Sequence, residues 1–378
     1  MSEIKKGLAG VVVDTTAISK VVSETSTLTY RGYAVQDLAR HCHFEEVAHL
    51  LWFGELPDAA QLQQLSQRER ALRRADRSLL ALIARLPETC HPMDVIRTVV
   101  SYLGAEDPLE DQGRSQEALL DKALRMTAVL PTVIAADMRR RRGLDPIAPD
   151  PTRGFAENFL YMCFGAPAPG SRHLDERLVR AFETSLILYA EHSFNASTFA
   201  ARVVTSTESD MYSAVTAAIG ALKGPLHGGA NEAVMHMMLE IGEPERAREW
   251  LRDKLARKQK VMGFGHRVYR AGDSRVPTMR AALEDIADLT GGGAWLKMYG
   301  ELETAMAEAT GIKPNLDFPA GPAYYLMGFD IDMFTPIFVM SRITGWTAHI
   351  IEQSQSNALI RPLSEYTGPP PRPLRPVA

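Results

Sequence analysis

The chain has 378 residues, 46% of them hydrophobic and 23% charged, with a formal net charge of -4. That composition supplies a large core and excludes a disordered chain, and the lack of a basic excess speaks against nucleic acid or an anionic membrane surface as partner. No run of eighteen apolar residues predicts a membrane span, the opening MSEIKKGLAG lacks a signal-peptide core, and the scattered Cys42, Cys90 and Cys163 predict neither disulfides nor a zinc site, so a reduced cytoplasmic compartment is expected.

Along the first thirty residues, short β-branched stretches at 10–13, 17–22 and 28–30 predict small strands, a hairpin packed on the main body or on a partner. From Val35 the pattern turns helical. Residues 44–52 place apolar side chains three and four apart, and Gly54 ends the run. Further helices are predicted over 117–138, 174–204, 211–223, 231–240, 244–260, 278–289, 297–309 and 331–352. The arginines at 139–142 read as a solvated helix face, and the prolines at 369–373 as an extended, frayed end. The fold class is mainly α with short N-terminal strands. No fixed repeat points to a solenoid.

Three segments carry candidate chemistry. In G-P-L-H-G-G-A-N-E, residues 224–232, His227 lies on a loop between two helices. Its neighbouring glycines allow close backbone approach, and the amides opening the next helix favour an anion or a developing oxyanion. A loop histidine satisfied by backbone is the plainer alternative. In V-M-G-F-G-H-R-V-Y-R, residues 261–270, glycines flank an aromatic residue before His266, and Asp273-Ser274-Arg275 follow. With Arg257, Lys258 and Lys260 just upstream, the cations suit a phosphorylated, adenine-bearing ligand; a solvated basic helix end would look the same. In P-N-L-D-F-P-A-G-P, residues 314–322, Asp317 stands among apolar and rigid residues that would raise its pKa and make it a better base. A turn or helix cap would also use an aspartate.

Together and in this order the three segments resemble the catalytic segments of the citrate synthase family. So do E-H-S-F-N-A-S-T at 191–198, S-R-I-T-G-W at 341–346, I-R-P-L-S-E-Y-T-G-P at 360–369 and H-P-M-D at 91–94, so the resemblance covers nearly the whole chain. It implies a large helical domain of residues 1–225 and 330–378, and a smaller helical one of 226–329 carrying the CoA loop and catalytic residues. It also implies that an acyl-CoA is condensed with oxaloacetate and the thioester hydrolysed. Asp317 would be the base, His227 would stabilise the enol oxygen, and His266 would polarise the oxaloacetate carbonyl. His192, Arg275 and Arg342 would bind oxaloacetate, with Arg361 reaching across from the other subunit of a homodimer. Arg257, Lys258, Lys260, Gly263, Phe264, Gly265, Arg270 and Asn315 would contact CoA. The resemblance implies no metal or cofactor, the acyl-CoA being a substrate.

Two departures narrow the reading. Many family members follow the catalytic aspartate with F-Y-S-G, whereas here Phe318-Pro319-Ala320-Gly321 follow, and D-P-R becomes Asp273-Ser274-Arg275. The lost polar atoms leave apolar room that suits propionyl. The segments KGLAGVVVDTTAI (6–18), LTYRGY (28–33) and FPAGPAYYLMG (318–328) resemble the 2-methylcitrate synthase branch, actinobacterial type. The expected reaction is propionyl-CoA plus oxaloacetate to 2-methylcitrate and CoA. Acetyl-CoA would also be accepted, because one methylene is worth only about 1–3 kcal/mol. The alternative is a citrate synthase preferring acetyl-CoA. A non-catalytic acyl-CoA-binding protein would have no need of both histidines and the aspartate.

Overall fold

The computed structural model describes residues 4–22, 24–110, 115–166, 170, 172–266, 268–269 and 272–373. Helices dominate them. Three short antiparallel strands, β1 (Ser19–Val22), β2 (Thr27–Tyr30) and β3 (Tyr33–Ala34), lie in that order, with Ser19 opposite Tyr30 and Thr29 opposite Ala34. Arg31 and Gly32 join β2 to β3 with φ of 48° and 92°, the positive pair that a tight two-residue hairpin needs. Residues 10–13, expected as a strand, are irregular and exposed. Their β-branched side chains have no neighbouring strand among the described residues, and propensity without a partner does not make a strand.

At the centre runs the helix Phe334–Gln355. A helix with apolar or small residues all round is stable only when covered on every side, and every residue from Phe334 to Ile351 is buried. Its cover comes from helices Phe44–Phe53, Gln116–Arg141, Glu176–Tyr189, Ala196–Ser206 and Met211–Leu222. Gly345 allows the closest approach: a Cβ there would overlap the Ala190 carbonyl and the Glu191 carboxylate. Helices Ala59–Leu72, Arg77–Arg85, Pro92–Ala105, Phe155–Phe164 and Asp317–Leu326 add to those expected from periodicity. No helix among the described residues is long and apolar enough to cross a membrane.

Two expectations are corrected by packing. The helix expected over 174–204 is two, Glu176–Tyr189 and Ala196–Ser206. Between them Ser193 adopts φ 52°, its N–H held by the Glu191 carboxylate, and Asn195 Oδ1 caps the second helix at Thr198 N, 3.1 Å. The arginine run is no solvated face. Asp137 is 2% exposed, and Arg140 and Arg141 neutralise it at 2.7 and 2.8 Å while donating to the carbonyls of Leu86 and Cys90. A buried carboxylate left unpaired would be costly, so the helix end folds its cations inward.

A second group of helices, Ala230–Ile241, Ala247–Ala256, Val276–Thr290, Gly293–Thr310 and Asp317–Leu326, completes the fold. Val276–Thr290 packs on both Glu176–Tyr189 and Asp317–Leu326, so the segments bearing Arg275 and Asp317 meet the one bearing Tyr189.

Candidate active site

A backbone clip sets the positions of His266 and Asp317. The Gly265 N–H donates to the Lys313 carbonyl and the Asn315 N–H to the Gly263 carbonyl, both at 2.9 Å, and Asn315 Nδ2 donates to the Gly265 carbonyl. Gly263 has φ 82°, and a Cβ on it would press within 2.7 Å of Val234 and 2.9 Å of Phe318. Only glycine fits that approach.

Asp317 opens the helix Asp317–Leu326, where the unsatisfied N–H groups favour a carboxylate. The Tyr189 hydroxyl donates to Asp317 Oδ1 at 2.7 Å. Burial nevertheless outweighs that bond and the pull of Arg275 and Arg342, and lifts the carboxyl to about 6. It is ionised at neutral pH yet more basic than an ordinary aspartate.

Both expected catalytic histidines are held neutral. Burial, then the Arg342 charge, pushes His227 down to about 4. The Ser197 N–H, which can only donate, points at His227 Nε2 from 3.2 Å, so the ring proton sits on Nδ1. Ser197 Oγ lies 2.8 Å from the same nitrogen and is itself fixed by Trp346 Nε1 at 3.0 Å and Asn195 Oδ1 at 2.7 Å. His266 is likewise pushed to about 4, by burial and then Arg275. Its Nδ1 accepts the N–H groups of Val268 and Tyr269, at 3.0 and 3.2 Å, leaving Nε2–H as the donor. Each histidine therefore offers one directed N–H.

Facing them is fixed positive charge. Arg275 is buried and bidentate on Asp273, at 2.9 and 2.7 Å; burial pulls its pKa down, but Asp273 overcomes this and raises it. Arg342 is also buried, with no carboxylate in ion-pair reach among the described residues. Its Nε donates to the Tyr189 carbonyl at 2.6 Å, and its guanidinium lies over the Phe338 ring at 4.7 Å. Burial draws it down to about 10, opposed mainly by Glu191, so it stays cationic at neutral pH with its outer nitrogens unpaired. His192, buried and held well below its ordinary value first by burial and then by Arg275, stands 5.0 Å from His266 ring to ring. The Arg342 charge acts on His192, His227 and Asp317 together, and Arg275 on His192, His266 and Asp317. These six side chains therefore form one site.

Of the other expected residues, Gly263, Gly265 and Asn315 form the clip beside it. Arg361 is exposed and makes no hydrogen bond or ion pair among the described residues. Arg257, Lys258 and Lys260 are exposed after the helix Ala247–Ala256, while Phe264 packs on Phe318 with ring centroids 4.4 Å apart. Arg270 lies outside the described residues. Sequence reasoning missed Tyr189, for which no local signal exists, and gave no role to Ser197 or Asp273, although both lay inside recognised segments. An open groove lined by Arg40, Arg177, Thr184, Pro277 and Asp285 contains none of the site residues.

Residues 7–363 match the family described as citrate synthase, C-terminal domain. A 2-methylcitrate synthase of Mycobacterium tuberculosis is 70% identical over 366 residues, 97% of this chain and 91% of that protein. A citrate synthase of Mycolicibacterium smegmatis is 69% identical over 372 residues, 98% and 97% of the two chains. The structure superposes with a TM-score of 0.93, at 32% identity and 99% coverage of both chains, on citrate synthase of Thermoplasma acidophilum in a ternary complex with carboxymethyl coenzyme A and oxaloacetate. The chain belongs to the citrate synthase family.

Proposed function

We propose that this protein condenses propionyl-CoA with oxaloacetate and hydrolyses the thioester, releasing 2-methylcitrate and CoA. The observation that carries the chemistry is the pairing of a carboxyl group near pKa 6 with two neutral histidines around two buried arginines. Asp317 takes the proton from the carbon beside the thioester. The Nδ1–H of His227 donates to the oxygen on which negative charge grows, a stabilisation strongest in the transition state. The Nε2–H of His266 polarises the keto carbonyl of oxaloacetate, so the new carbon–carbon bond forms as that oxygen gains a proton. Arg275, Arg342 and His192 hold the two carboxylates; the unpaired outer face of Arg342 suits a bidentate carboxylate.

Propionyl is favoured by the 70% identity to a protein named 2-methylcitrate synthase. The second reading, acetyl-CoA as preferred substrate, is favoured by the 69% identity to one named citrate synthase. Pro319 and Ala320, expected to open apolar room, are buried in the helix packing, and the polar atom beside the base is the Tyr189 hydroxyl. We further read the molecule as a cytoplasmic homodimer with a small domain of residues 226–329, in which Arg257, Lys258, Lys260, Gly263, Phe264, Gly265, Arg270 and Asn315 contact the acyl-CoA. The exposed, irregular tail with Leu359, Arg361, Leu363 and Tyr366 suits a segment that reaches a second copy.

The test is CoA release from purified protein with oxaloacetate and either thioester. A higher kcat/KM for propionyl-CoA supports the proposal; a preference for acetyl-CoA supports the second reading; no release with either overturns both.

A further inference from the structure

The loop bearing His227 has little of its own to hold it. Between Leu222 and Ala230 the described backbone bonds are turns, His227 N–H to the Gly224 carbonyl and Gly228 N–H to the Leu222 carbonyl, both at 2.9 Å. A histidine that must aim one N–H at a developing charge needs firmer support, because a displacement of about 1 Å can cost 10²-fold in rate.

That support converges on one carboxylate. Glu232 lies in the first turn of the helix Ala230–Ile241, immediately after the loop. Its Oε1 accepts the Thr335 N–H at 3.2 Å and, in a close contact, the Thr335 hydroxyl, at the start of the central helix Phe334–Gln355. Its Oε2 accepts from His91 Nε2 at 3.2 Å. His91 caps the helix Pro92–Ala105 with Nδ1, which accepts the Met93 N–H at 3.1 Å, so a neutral ring keeps its proton on Nε2 for Glu232. Three helix N-termini, each a partial positive charge, thus meet at Glu232. Thr335 Oγ1 also lies 3.4 Å from the carbonyl of Gly228, the residue after His227. The same central helix carries Phe338, Arg342 and Trp346, the last holding Ser197 against His227.

We propose that Glu232 is a positioning residue for His227: by tying its helix to Thr335 and His91, it fixes the loop relative to the helix that bears Arg342. This rests on the reading of His227 as donor to the enol oxygen. Neither Glu232 nor His91 needs to touch substrate.

The experiment compares Glu232→Ala, Glu232→Gln, the milder His91→Ala and His227→Ala in the full-length protein. It measures kcat, KM for oxaloacetate and thermal stability. Glutamine can still accept from Thr335 but meets His91 Nε2–H with its own amide, so it keeps the larger part of the tie. We expect Glu232→Ala to lower kcat about 10- to 100-fold with KM for oxaloacetate within threefold, Glu232→Gln to recover most of that loss, and His91→Ala to cost severalfold. A kcat within twofold of wild type in Glu232→Ala would overturn the proposal. So would parallel falls of kcat, oxaloacetate affinity and stability in both Glu232 variants, the mark of a merely structural role. Retained turnover in His227→Ala would remove the underlying reading instead, and an inactive His227→Ala beside a fully active Glu232→Ala would remove only the positioning role.

Discussion

The two sides of the site solve opposite electrostatic problems. On one side, Arg275 and Arg342 are cations taken out of water, one balanced by Asp273 and the other bonded only through Nε to the Tyr189 carbonyl among the described residues. On the other side, burial raises Asp317, which accepts from the Tyr189 hydroxyl, and holds His227, which accepts the Ser197 N–H, uncharged. Binding a dianion calls for permanent charge. Moving a proton calls for a base poised near its change of state, which burial supplies by raising Asp317, while burial also keeps both histidines neutral as N–H donors. The arginines add to burial in depressing the histidines, so the charges on one side help keep the other neutral.

The sharpest way to separate the sides is to remove the base alone. Asp317→Asn should lower kcat by about 10²- to 10⁴-fold, with the oxaloacetate dissociation constant from calorimetry within threefold. A large loss of oxaloacetate affinity would show that the sides are not separable. Arg342→Lys is the converse. Lysine cannot reproduce the planar fork, and KM for oxaloacetate should rise about 30-fold or more, equivalent to about 2 kcal/mol. A KM within threefold would mean that Arg342 does not face a carboxylate. The smallest expected effect is Tyr189→Phe. Losing the hydroxyl that favours ionised Asp317 should move the acidic limb of activity up by about one pH unit. Activity would fall severalfold at pH 6 and stay near wild type at pH 8.5; an unmoved limb would dismiss the Tyr189 bond as tuning.

Much of this site was legible because its chemistry lies in contiguous segments. The glycines beside His227 marked a loop between helices, and Asp317 stood out as an acid among apolar and rigid residues. Tyr189 was not legible: its hydroxyl meets Asp317 across 128 positions of sequence, a contact that only packing of Glu176–Tyr189 near Asp317–Leu326 creates. The break at 190–195 was hidden for a similar reason. The stretch keeps a helical composition, and its left-handed Ser193 is fixed by Glu191, which is anchored in turn by Ser19 and His349 at 2.8 and 2.9 Å. Arg139 to Arg142 misled because a run of cations looks the same in water or folded onto a buried Asp137. Strand propensity at residues 10–13 misled because a strand exists only with its neighbour.

The most direct test of the account is the pH dependence of kcat/KM for acyl-CoA at saturating oxaloacetate in the wild-type protein. Asp317 must lose its proton to act, so activity should rise with pH through about 6, and histidines already neutral above about 4 should add no further change up to pH 8. A profile that falls as pH rises between 6 and 7.5 would mean that a protonated histidine is required, and would contradict the neutral pair on which this mechanism rests.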